Sequence, residues 1–271
     1  MSPLNQGAPG RAGRMSGTVA LVTGASRGIG RAIAEAFAAE GADLCLVATD
    51  RNRLAEVEAA IAGGPGRTMS IAFDVTDRDA CRAAVAQATE RFGRVDALVN
   101  NAGIYIGKPF LDYSPEEFER LLQVNLFGVI HMTQAALPGM LERGYGRVVN
   151  IASTAGKWAS RNQSGYNISK HAVVGLTRCV AVESAARGVT VNAICPGFVQ
   201  TDMVENLKRE QAAAGVADPE AVLKSMLAAR VPMGRALAPD EIAGLAVYLA
   251  SRESSGMTGQ SILVDGGMVV V

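Results

Sequence analysis

The feature that most constrains this chain is a regular alternation of short apolar runs with longer segments of helical periodicity. The runs are continuous, which indicates strands buried on both faces of a parallel sheet. They predict strands at 19–23, 43–48, 69–73, 97–100, 147–153, 189–195 and 261–267. The intervening segments predict helices at 31–40, 54–61, 78–92, 115–143, 166–186 and 239–249. The pattern is typical of one α/β domain with a Rossmann-like, doubly wound fold and helices on both faces of the sheet.

Composition supports a large core and disfavours several classes of partner. Of the 271 residues, 49% are hydrophobic and 19% are charged. Lys plus Arg and Asp plus Glu number 26 each, so no basic field favours nucleic acid. No apolar run approaches the roughly 18 residues that a membrane span requires. Four scattered cysteines without a CxxC pair, and two histidines, predict reduced thiols in a cytoplasmic protein and no metal site.

Two segments depart from the alternation. Residues 1–14 are dominated by Gly, Pro and Arg and lack the apolar stretch of a secretory signal, so they predict a disordered tail. Met15 is then a candidate start of the folded unit, and 15–271 form a single domain. Residues 201–237 are polar and Ala-rich, and they predict a small helical lobe over the edge of the sheet.

A glycine-rich turn, TGASRGIG, follows the first predicted strand. Gly24, Gly28 and Gly30 stand between a strand and a helix, where glycine permits positive φ and lets a ligand approach the backbone. The helix that follows offers free N–H groups to a pyrophosphate. The spacing is G-x3-G-x-G, unlike the best-known dinucleotide fingerprint, but its position in a βαβ unit predicts a dinucleotide site.

The end of the second strand bears on which dinucleotide binds. The position expected beside the adenosine ribose is Ala48, which carries no carboxylate to hold a 2′-hydroxyl. Asp50 follows two residues later and is expected to face solvent, while Arg27 in the glycine turn is able to pair with a phosphate. These residues favour NADP(H) over NAD(H); Asp50 reaching the ribose would reverse that preference.

Tyr166 and Lys170 are spaced four residues apart in a segment predicted to be helical. That spacing puts both side chains on one helix face, although such pairs also arise by chance on protein surfaces. A neighbouring ammonium favours the phenolate and so lowers the pKa of a tyrosine. The pair therefore predicts a tyrosine tuned for proton transfer by its lysine.

Several motifs occur together in one order along nearly the whole chain. They are TGASRGIG, DVTD (74–77), NNAG (100–103), VNLFG (124–128), NIAS (150–153), Tyr166-x-x-x-Lys170, PGFVQT (196–201) and VDGG (264–267). From Gly17 to Gly267 the sequence resembles the short-chain dehydrogenase/reductase family. The resemblance implies seven parallel strands, a nicotinamide cofactor, a homotetramer, and a catalytic tetrad of Asn125, Ser153, Tyr166 and Lys170. The implied activity is the NAD(P)-dependent interconversion of a ketone and a secondary alcohol.

Within the tetrad, Ser153 is expected to hydrogen-bond the substrate oxygen, Lys170 to bind ribose hydroxyls as well as tune Tyr166, and Asn125 to hold a water beside Lys170. The resemblance also implies cofactor contacts. These residues are Gly24, Ser26, Arg27, Gly28, Ile29, Gly30, Thr49, Asp74, Val75, Asn101, Ala102, Gly103, Tyr166, Lys170, Pro196, Gly197, Val199 and Thr201. Asn100 is instead expected to tie strands together.

Residues expected near the substrate suggest an apolar pocket. They are Tyr105, Ala155, Trp158, Gln163 and Phe198, with Ile106, Lys157 and Met203 nearby, and the aromatic ones among them could equally be core or interface. Parts of the chain are similar to 3-oxoacyl-carrier-protein reductases and aromatic-polyketide ketoreductases, and others to 3-hydroxybutyrate dehydrogenases. Ala155 and Gln163 replace the histidine and lysine with which the last group clamps a carboxylate.

The favoured interpretation is therefore reduction of a 3-oxoacyl thioester or a bulky apolar ketone with NADPH. Lys157 and Arg161 are placed to meet a carrier's phosphate or, equally, to be solvated. An NAD-dependent secondary-alcohol dehydrogenase is the alternative, and a non-catalytic dinucleotide sensor is a more distant one. The apolar tail Gly267–Val271 is expected in a subunit contact.

Overall fold

The computed structural model describes residues 13–213 and 217–270. Their strands form one sheet of seven, in the order β3-β2-β1-β4-β5-β6-β7, and every neighbouring pair is parallel. The strands are β1 (Val19–Thr23), β2 (Asp43–Ala48), β3 (Thr68–Ala72), β4 (Ala97–Asn100), β5 (Gly146–Ile151), β6 (Val189–Pro196) and β7 (Ser261–Val264). The predicted doubly wound α/β fold is confirmed. The strand order reverses between β1 and β4, which opens a crevice at their carboxyl ends.

Helices cover both faces of this sheet. They are α1 (Gly28–Ala39), α2 (Arg51–Ile61), α3 (Arg78–Phe92), α4 (Pro115–Leu122), α5 (Gly128–Arg143), α6 (Ser164–Ser184), α7 (Asp202–Ala213), α8 (Pro219–Arg230) and α9 (Pro239–Ala250). One apolar core joins α1, α2 and α9 to the sheet, through residues such as Phe37, Leu54 and Ile242. A second core joins α3, α5 and α6 to the opposite face, through residues such as Met132 and Ala181.

The predicted helix 115–143 is interrupted. A π-helical segment, Gln123–Phe127, separates α4 from α5. Such a segment inserts an extra residue into the turn and changes the direction in which side chains point. It directs Asn125 into the interior, where the side chain is fully buried and bonds to the backbone of Ile104.

Other boundaries shift because capping residues define them. Asp50 accepts hydrogen bonds from the amides of Asn52 and Arg53, so α2 begins three residues before the predicted start. Strand β5 ends at Ile151 because Ser153 caps a short 3₁₀ turn, accepting from the amide of Ala155 at 3.1 Å. Strand β7 ends at Val264, one residue before Asp265, whose carboxylate accepts from the amides of Gly267 and Val269.

The described residues of the segment 201–237 include two helices, α7 and α8. Its base is closed by a bridge between Val199 and Leu237, and Leu223 and Leu227 pack in a small apolar cluster together with Phe198. Residues 214–216 lie outside the described residues. The role of the segment 201–237 as a substrate lobe stays a prediction.

The terminal predictions fall partly outside the described part of the chain. Residues 1–12 and Val271 are not described. Met15 is fully buried, and Arg14 hydrogen-bonds to the Glu40 carboxylate at 2.6 Å, so the chain contacts the fold from Arg14 onward. Among the described residues no helix combines the length and the apolarity of a membrane span, and no cluster of potential metal ligands occurs.

Candidate active site

The glycine turn between β1 and α1 is packed too closely to hold side chains. Gly24 has φ of +66°, and a Cβ there would lie 2.7 Å from Nδ2 of Asn101. A Cβ on Gly30 would overlap the carbonyl oxygen of Gly24. The same Asn101 amide donates to the carbonyls of Thr23 and Gly24, at 3.0 and 3.1 Å. Asn101, expected under the cofactor, therefore also fixes the shape of the turn.

The N-terminus of α1 faces the crevice from this turn. Arg27 is the N-cap residue and makes no side-chain cap hydrogen bond, so the first amides of α1 are not claimed by a cap. Ser26 and Ile29, on either side of it in the sequence, are partly exposed. Free amides, the positive end of the helix dipole and closely approachable glycines suit a pyrophosphate. The residues present therefore fit a dinucleotide.

The ribose end of the crevice is bounded by the β1–α1 and β2–α2 turns. Ala48 ends β2 and is 8% exposed, and Thr49 is exposed beside it. The Asp50 carboxylate is engaged as the N-cap of α2, which occupies one of its oxygens with two amides. Arg27 and Arg53 reach this region from opposite turns. The sequence prediction omitted Arg53, although its place in the first turn of α2 would have suggested it.

The remaining predicted cofactor residues lie at the carboxyl ends of strands. Asp74 is exposed and accepts from the amide of Thr76, while Val75 is buried. Ala102 and Gly103 follow β4; a Cβ on Gly103 would lie 3.7 Å from Nζ of Lys170. The last group runs from the end of β6 to the start of α7: Pro196 is the last residue of β6, and Gly197, Val199 and Thr201 follow it. Asn100 bridges β4 to β5 through Asn150 at 2.8 Å, as expected.

Ser153, Tyr166 and Lys170 meet at the carboxyl end of β5. The Ser153 hydroxyl acts on the Tyr166 phenol by lowering its pKa. Nζ of Lys170 lies 5.7 Å from the centroid of the Tyr166 ring and donates to the carbonyl of Ile151 at 2.9 Å. Lys170 is 5% exposed. The structure thus brings together three of the four predicted catalytic side chains around one phenol.

The pKa values of this pair are governed by burial. Burial raises the pKa of Tyr166 to about 12, and the Ser153 hydroxyl opposes that rise. Burial lowers the pKa of Lys170 to about 8. The direction for Tyr166 is opposite to the one expected from the sequence, because desolvation of the phenolate is the largest influence on this pKa.

Asn125 acts on the backbone beside this cluster. Its Oδ1 accepts from the amide of Ile104 at 2.8 Å, and its Nδ2 donates to the carbonyl of Ile104 at 3.0 Å. Nδ2 also donates to the hydroxyl of Ser169 at 3.1 Å. The side chain therefore clamps the loop after β4 against α6. Its expected role of holding a water beside Lys170 stays a prediction.

Tyr105 and Gln163 border the catalytic phenol. The Tyr105 and Tyr166 rings lie 5.2 Å apart at 73°, an edge-to-face contact. Gln163 donates to the Tyr105 hydroxyl at 3.1 Å and accepts from Ser160 at 2.7 Å. Ala155 is 4% exposed beside them. The predicted substrate residues Tyr105, Gln163 and Ala155 therefore lie around the catalytic cluster.

The other predicted substrate residues face different surroundings. Trp158 lines a separate open hollow of about 730 Å³, whose lining does not include Ser153 or Tyr166. Phe198 packs on the apolar cluster of the α7–α8 lobe. The ammonium of Lys157 donates to Ser261 at 3.0 Å, so it turns toward β7. The side chain of Met203 lies outside the described residues.

Comparison with known proteins agrees with this geometry. A family model described as "Enoyl-(Acyl carrier protein) reductase" matches residues 24–269. The oxidoreductase UcpA of Salmonella typhimurium is 44% identical over 259 residues, covering 94% of this chain and 95% of the relative. The 3-oxoacyl-[acyl-carrier-protein] reductase FabG of Thermotoga maritima is 37% identical over 257 residues, covering 95% and 100%.

A solved structure is similar over the same extent. The crystal structure of levodione reductase superimposes with a TM-score of 0.89 at 37% sequence identity, covering 93% of this chain and 98% of that one. The similarity therefore extends over the crevice, the catalytic cluster and the lobe together.

Proposed function

The chain belongs to the short-chain dehydrogenase/reductase family, and from this premise we propose that it reduces a 3-oxoacyl thioester or a bulky apolar ketone with NADPH. The family assignment makes it an oxidoreductase that interconverts ketones and secondary alcohols with NAD(P). The preferred nucleotide, the substrate class and the residue roles are parts of the proposal.

One observation carries the proposal: Nζ of Lys170 lies 5.7 Å from the centroid of the Tyr166 ring, beside Ser153 at the carboxyl end of β5, and the Ser153 hydroxyl acts on the pKa of the phenol. The nicotinamide, when bound, supplies a hydride. Ser153 hydrogen-bonds the substrate oxygen and stabilises the charge that develops there. Tyr166, protonated at neutral pH because its pKa is about 12, gives its proton to that oxygen. Lys170 stabilises the phenolate that remains.

The preference for NADPH is supported at the ribose end of the crevice. Ala48 provides no carboxylate for a 2′-hydroxyl, and the Asp50 carboxylate already caps α2. Two guanidinium groups, those of Arg27 and Arg53, border the same region. Guanidinium groups bind a phosphate ester through paired hydrogen bonds, and they do not strengthen the binding of a ribose that lacks the 2′-phosphate.

The substrate class is supported by what surrounds the phenol. Tyr105 presents a ring edge to Tyr166, and Ala155 is small and apolar. Gln163 is the polar side chain beside these residues, and it hydrogen-bonds with Tyr105 and Ser160. A small carboxylate would find no cation among these residues, which disfavours a 3-hydroxyacid. Among the similar proteins, a 3-oxoacyl-[acyl-carrier-protein] reductase and levodione reductase agree with this choice.

Initial rates measured with NADPH and NADH test the proposal. Each nucleotide is paired with a 3-oxoacyl thioester, an aryl ketone and acetoacetate, and Tyr166→Phe serves as the inactive control. We expect at least tenfold higher kcat/KM with NADPH, and turnover of the thioester or aryl ketone above that of acetoacetate. Preference for NADH with acetoacetate would favour the secondary-alcohol dehydrogenase. Nucleotide binding without turnover of any ketone would favour a sensor.

We also propose a homotetramer in the cytoplasm. Large apolar side chains are exposed on α6 and near the start of α5, with Val182 82%, Ile168 50% and Phe127 40% exposed. Such side chains suit a subunit contact. All four cysteines are free, which suits a reducing compartment. Light scattering at micromolar concentration should give four times the mass of the chain; a monomer would contradict the tetramer.

A further inference from the structure

Asp202, the first residue of α7, joins the α7–α8 lobe to the crevice. Its Oδ2 is 3.3 Å from Nη1 of Arg27 and 3.2 Å from Nη1 of Arg53. Arg27 belongs to the β1–α1 turn and Arg53 to the first turn of α2. One carboxylate oxygen from the lobe therefore bridges two cations that come from separate turns of the crevice.

The bridged cations lie on the turns that follow β1 and β2, at the end of the crevice where the ribose of a dinucleotide is expected. The two turns extend β1 and β2, which are adjacent in the sheet with Thr23 opposite Val47. Two guanidinium groups that converge on one oxygen form a site for an anion with several acceptor oxygens. A phosphate ester carries more charge and more acceptors than a single carboxylate.

The same segment of the lobe also touches the glycine turn. A Cβ built on Gly28 would lie 3.2 Å from the methyl group of Thr201. The amides of Val204 and Glu205 donate to the carbonyl of Thr201, so the first turn of α7 is continuous with this contact. Lys208 then pairs with Glu205 on α7 and with Glu220 on α8, at 2.8 and 2.7 Å. Ion pairs and backbone hydrogen bonds therefore connect the start of α7 with α8.

We propose that Asp202 is an internal competitor for the 2′-phosphate of the nucleotide, which makes it a specificity-determining residue. This inference rests on the proposed preference for NADP(H). Without nucleotide, the Asp202 carboxylate pairs with both Arg27 and Arg53, while Asp50 also pairs with Arg53 at 3.6 Å. A 2′-phosphate takes over both guanidinium groups and repels the carboxylate, which releases the start of α7. A nucleotide without that phosphate leaves the bridge intact, so the lobe responds to one nucleotide and not to the other.

Calorimetric titration with 2′,5′-ADP and with ADP tests the competition without any turnover. Asp202→Asn keeps the size of the side chain and removes its charge, so it should bind 2′,5′-ADP about three- to tenfold more tightly than the natural chain, since each exposed pair is weak. Its affinity for ADP should stay within twofold. Glu205→Gln, one turn along α7 with the same change of charge, is the matched control and should alter neither affinity.

Hydrogen exchange at the amides of Val204 and Glu205 tests the release of α7. In the natural chain, 2′,5′-ADP should accelerate exchange at these amides and ADP should not. In Asp202→Asn exchange should already be fast and insensitive to either nucleotide. A change limited to affinity, with identical exchange in both proteins whether free or bound to either ligand, would contradict the release.

The failures of the two proposals differ. If the natural chain prefers 2′,5′-ADP but Asp202→Asn binds it equally well, the competition is wrong and the nucleotide preference stands. If neither protein distinguishes the two ligands and Arg27→Gln changes nothing, the preference for NADP(H) is wrong as well. Equal tightening toward both ligands in Asp202→Asn would show a general charge effect and would overturn the specificity role.

Discussion

Lys170 lies one helical turn from Tyr166, and its Nζ is 5.7 Å from the centroid of the Tyr166 ring. The ammonium is held there by a 2.9 Å hydrogen bond to the carbonyl of Ile151, at the end of β5. Strand and helix thus fix the pair from two sides. Because both groups are desolvated, burial favours their neutral forms, and a charge that appears at the phenol must be stabilised by its immediate neighbours.

Tyr166→Phe should abolish ketone reduction while leaving the crevice intact. Removal of a general acid typically lowers the rate 10²- to 10⁴-fold. We expect a fall in kcat of at least about 10²-fold, with the dissociation constant for NADPH changed less than about threefold, since the ring and its contact with Tyr105 remain. Single-turnover rates and fluorescence titration of NADPH measure the two quantities. Retention of normal turnover would exclude Tyr166 as the proton donor.

The alkaline limb of the pH profile should report Lys170. Its pKa of about 8 means that the ammonium is lost as the pH rises above that value. Because kcat/KM for the nucleotide reflects the free enzyme, we expect it to fall about tenfold per pH unit above roughly pH 8. Lys170→Arg, whose guanidinium keeps its charge over this range, should retain some activity, and its kcat/KM should no longer fall above pH 8. An unchanged limb in the arginine variant would assign it to another group.

Lys170 should also destabilise the fold at neutral pH. Its pKa is about 8 when folded and about 10.4 when unfolded, so between these values the unfolded chain binds more protons and stability rises with pH. Lys170→Met removes this penalty. We expect the variant to be more stable at pH 7 by about 1–2 kcal/mol, less than the shift implies because the bond to Ile151 is lost.

Urea unfolding at pH 7 and at pH 9.5 measures this effect, with circular dichroism as the signal. The difference between the two proteins should shrink at the higher pH, because the natural chain has then lost most of its buried charge. A methionine variant that is less stable by the same amount at both values would show that the hydrogen bond outweighs the desolvation.

Asn125→Ala should destabilise the fold beyond any effect on catalysis. The change leaves the amide and the carbonyl of Ile104 without their partners. Buried groups left in this way typically cost 1–3 kcal/mol each, so we expect a loss of about 2–4 kcal/mol in the free energy of unfolding. Ser169→Ala removes the third partner of the Asn125 side chain and should cost about 1 kcal/mol. Equal losses in the two variants would contradict the clamp on Ile104.

The sheet was predictable because its signals are local. Strands β1, β2 and β4 begin and end where the apolar runs do, since a strand buried on both faces needs a continuous apolar sequence. The glycine turn and the spacing of Tyr166 and Lys170 are local in the same way. Each depends on residues within one turn or one helix, so the sequence carries the whole signal.

What the sequence did not predict depends on contacts between distant segments. The π-helical segment is accompanied by bonds from Asn125 to Ile104, 21 residues earlier. Asp202 meets Arg27 across 175 residues, and Lys157 meets Ser261 across 104. The direction of the Tyr166 pKa depends on burial by surrounding segments, which helical spacing does not reveal. These features require the tertiary structure.

Two Gly→Ala substitutions should have opposite effects on stability, because one glycine is closely packed and the other only lowers helix propensity. Gly30→Ala places a methyl group against the carbonyl of Gly24 and Nδ2 of Asn101, so the turn must open. We expect it to lower stability by about 1–3 kcal/mol, as overpacking does, and to weaken nucleotide binding at least tenfold. Gly244→Ala lies in α9 with open space around the new methyl group, and it should raise stability by about 0.5–1 kcal/mol with binding unchanged. Thermal unfolding and NADPH titration of both variants measure these effects; a Gly30→Ala protein that binds NADPH normally would show that the crevice tolerates a wider turn.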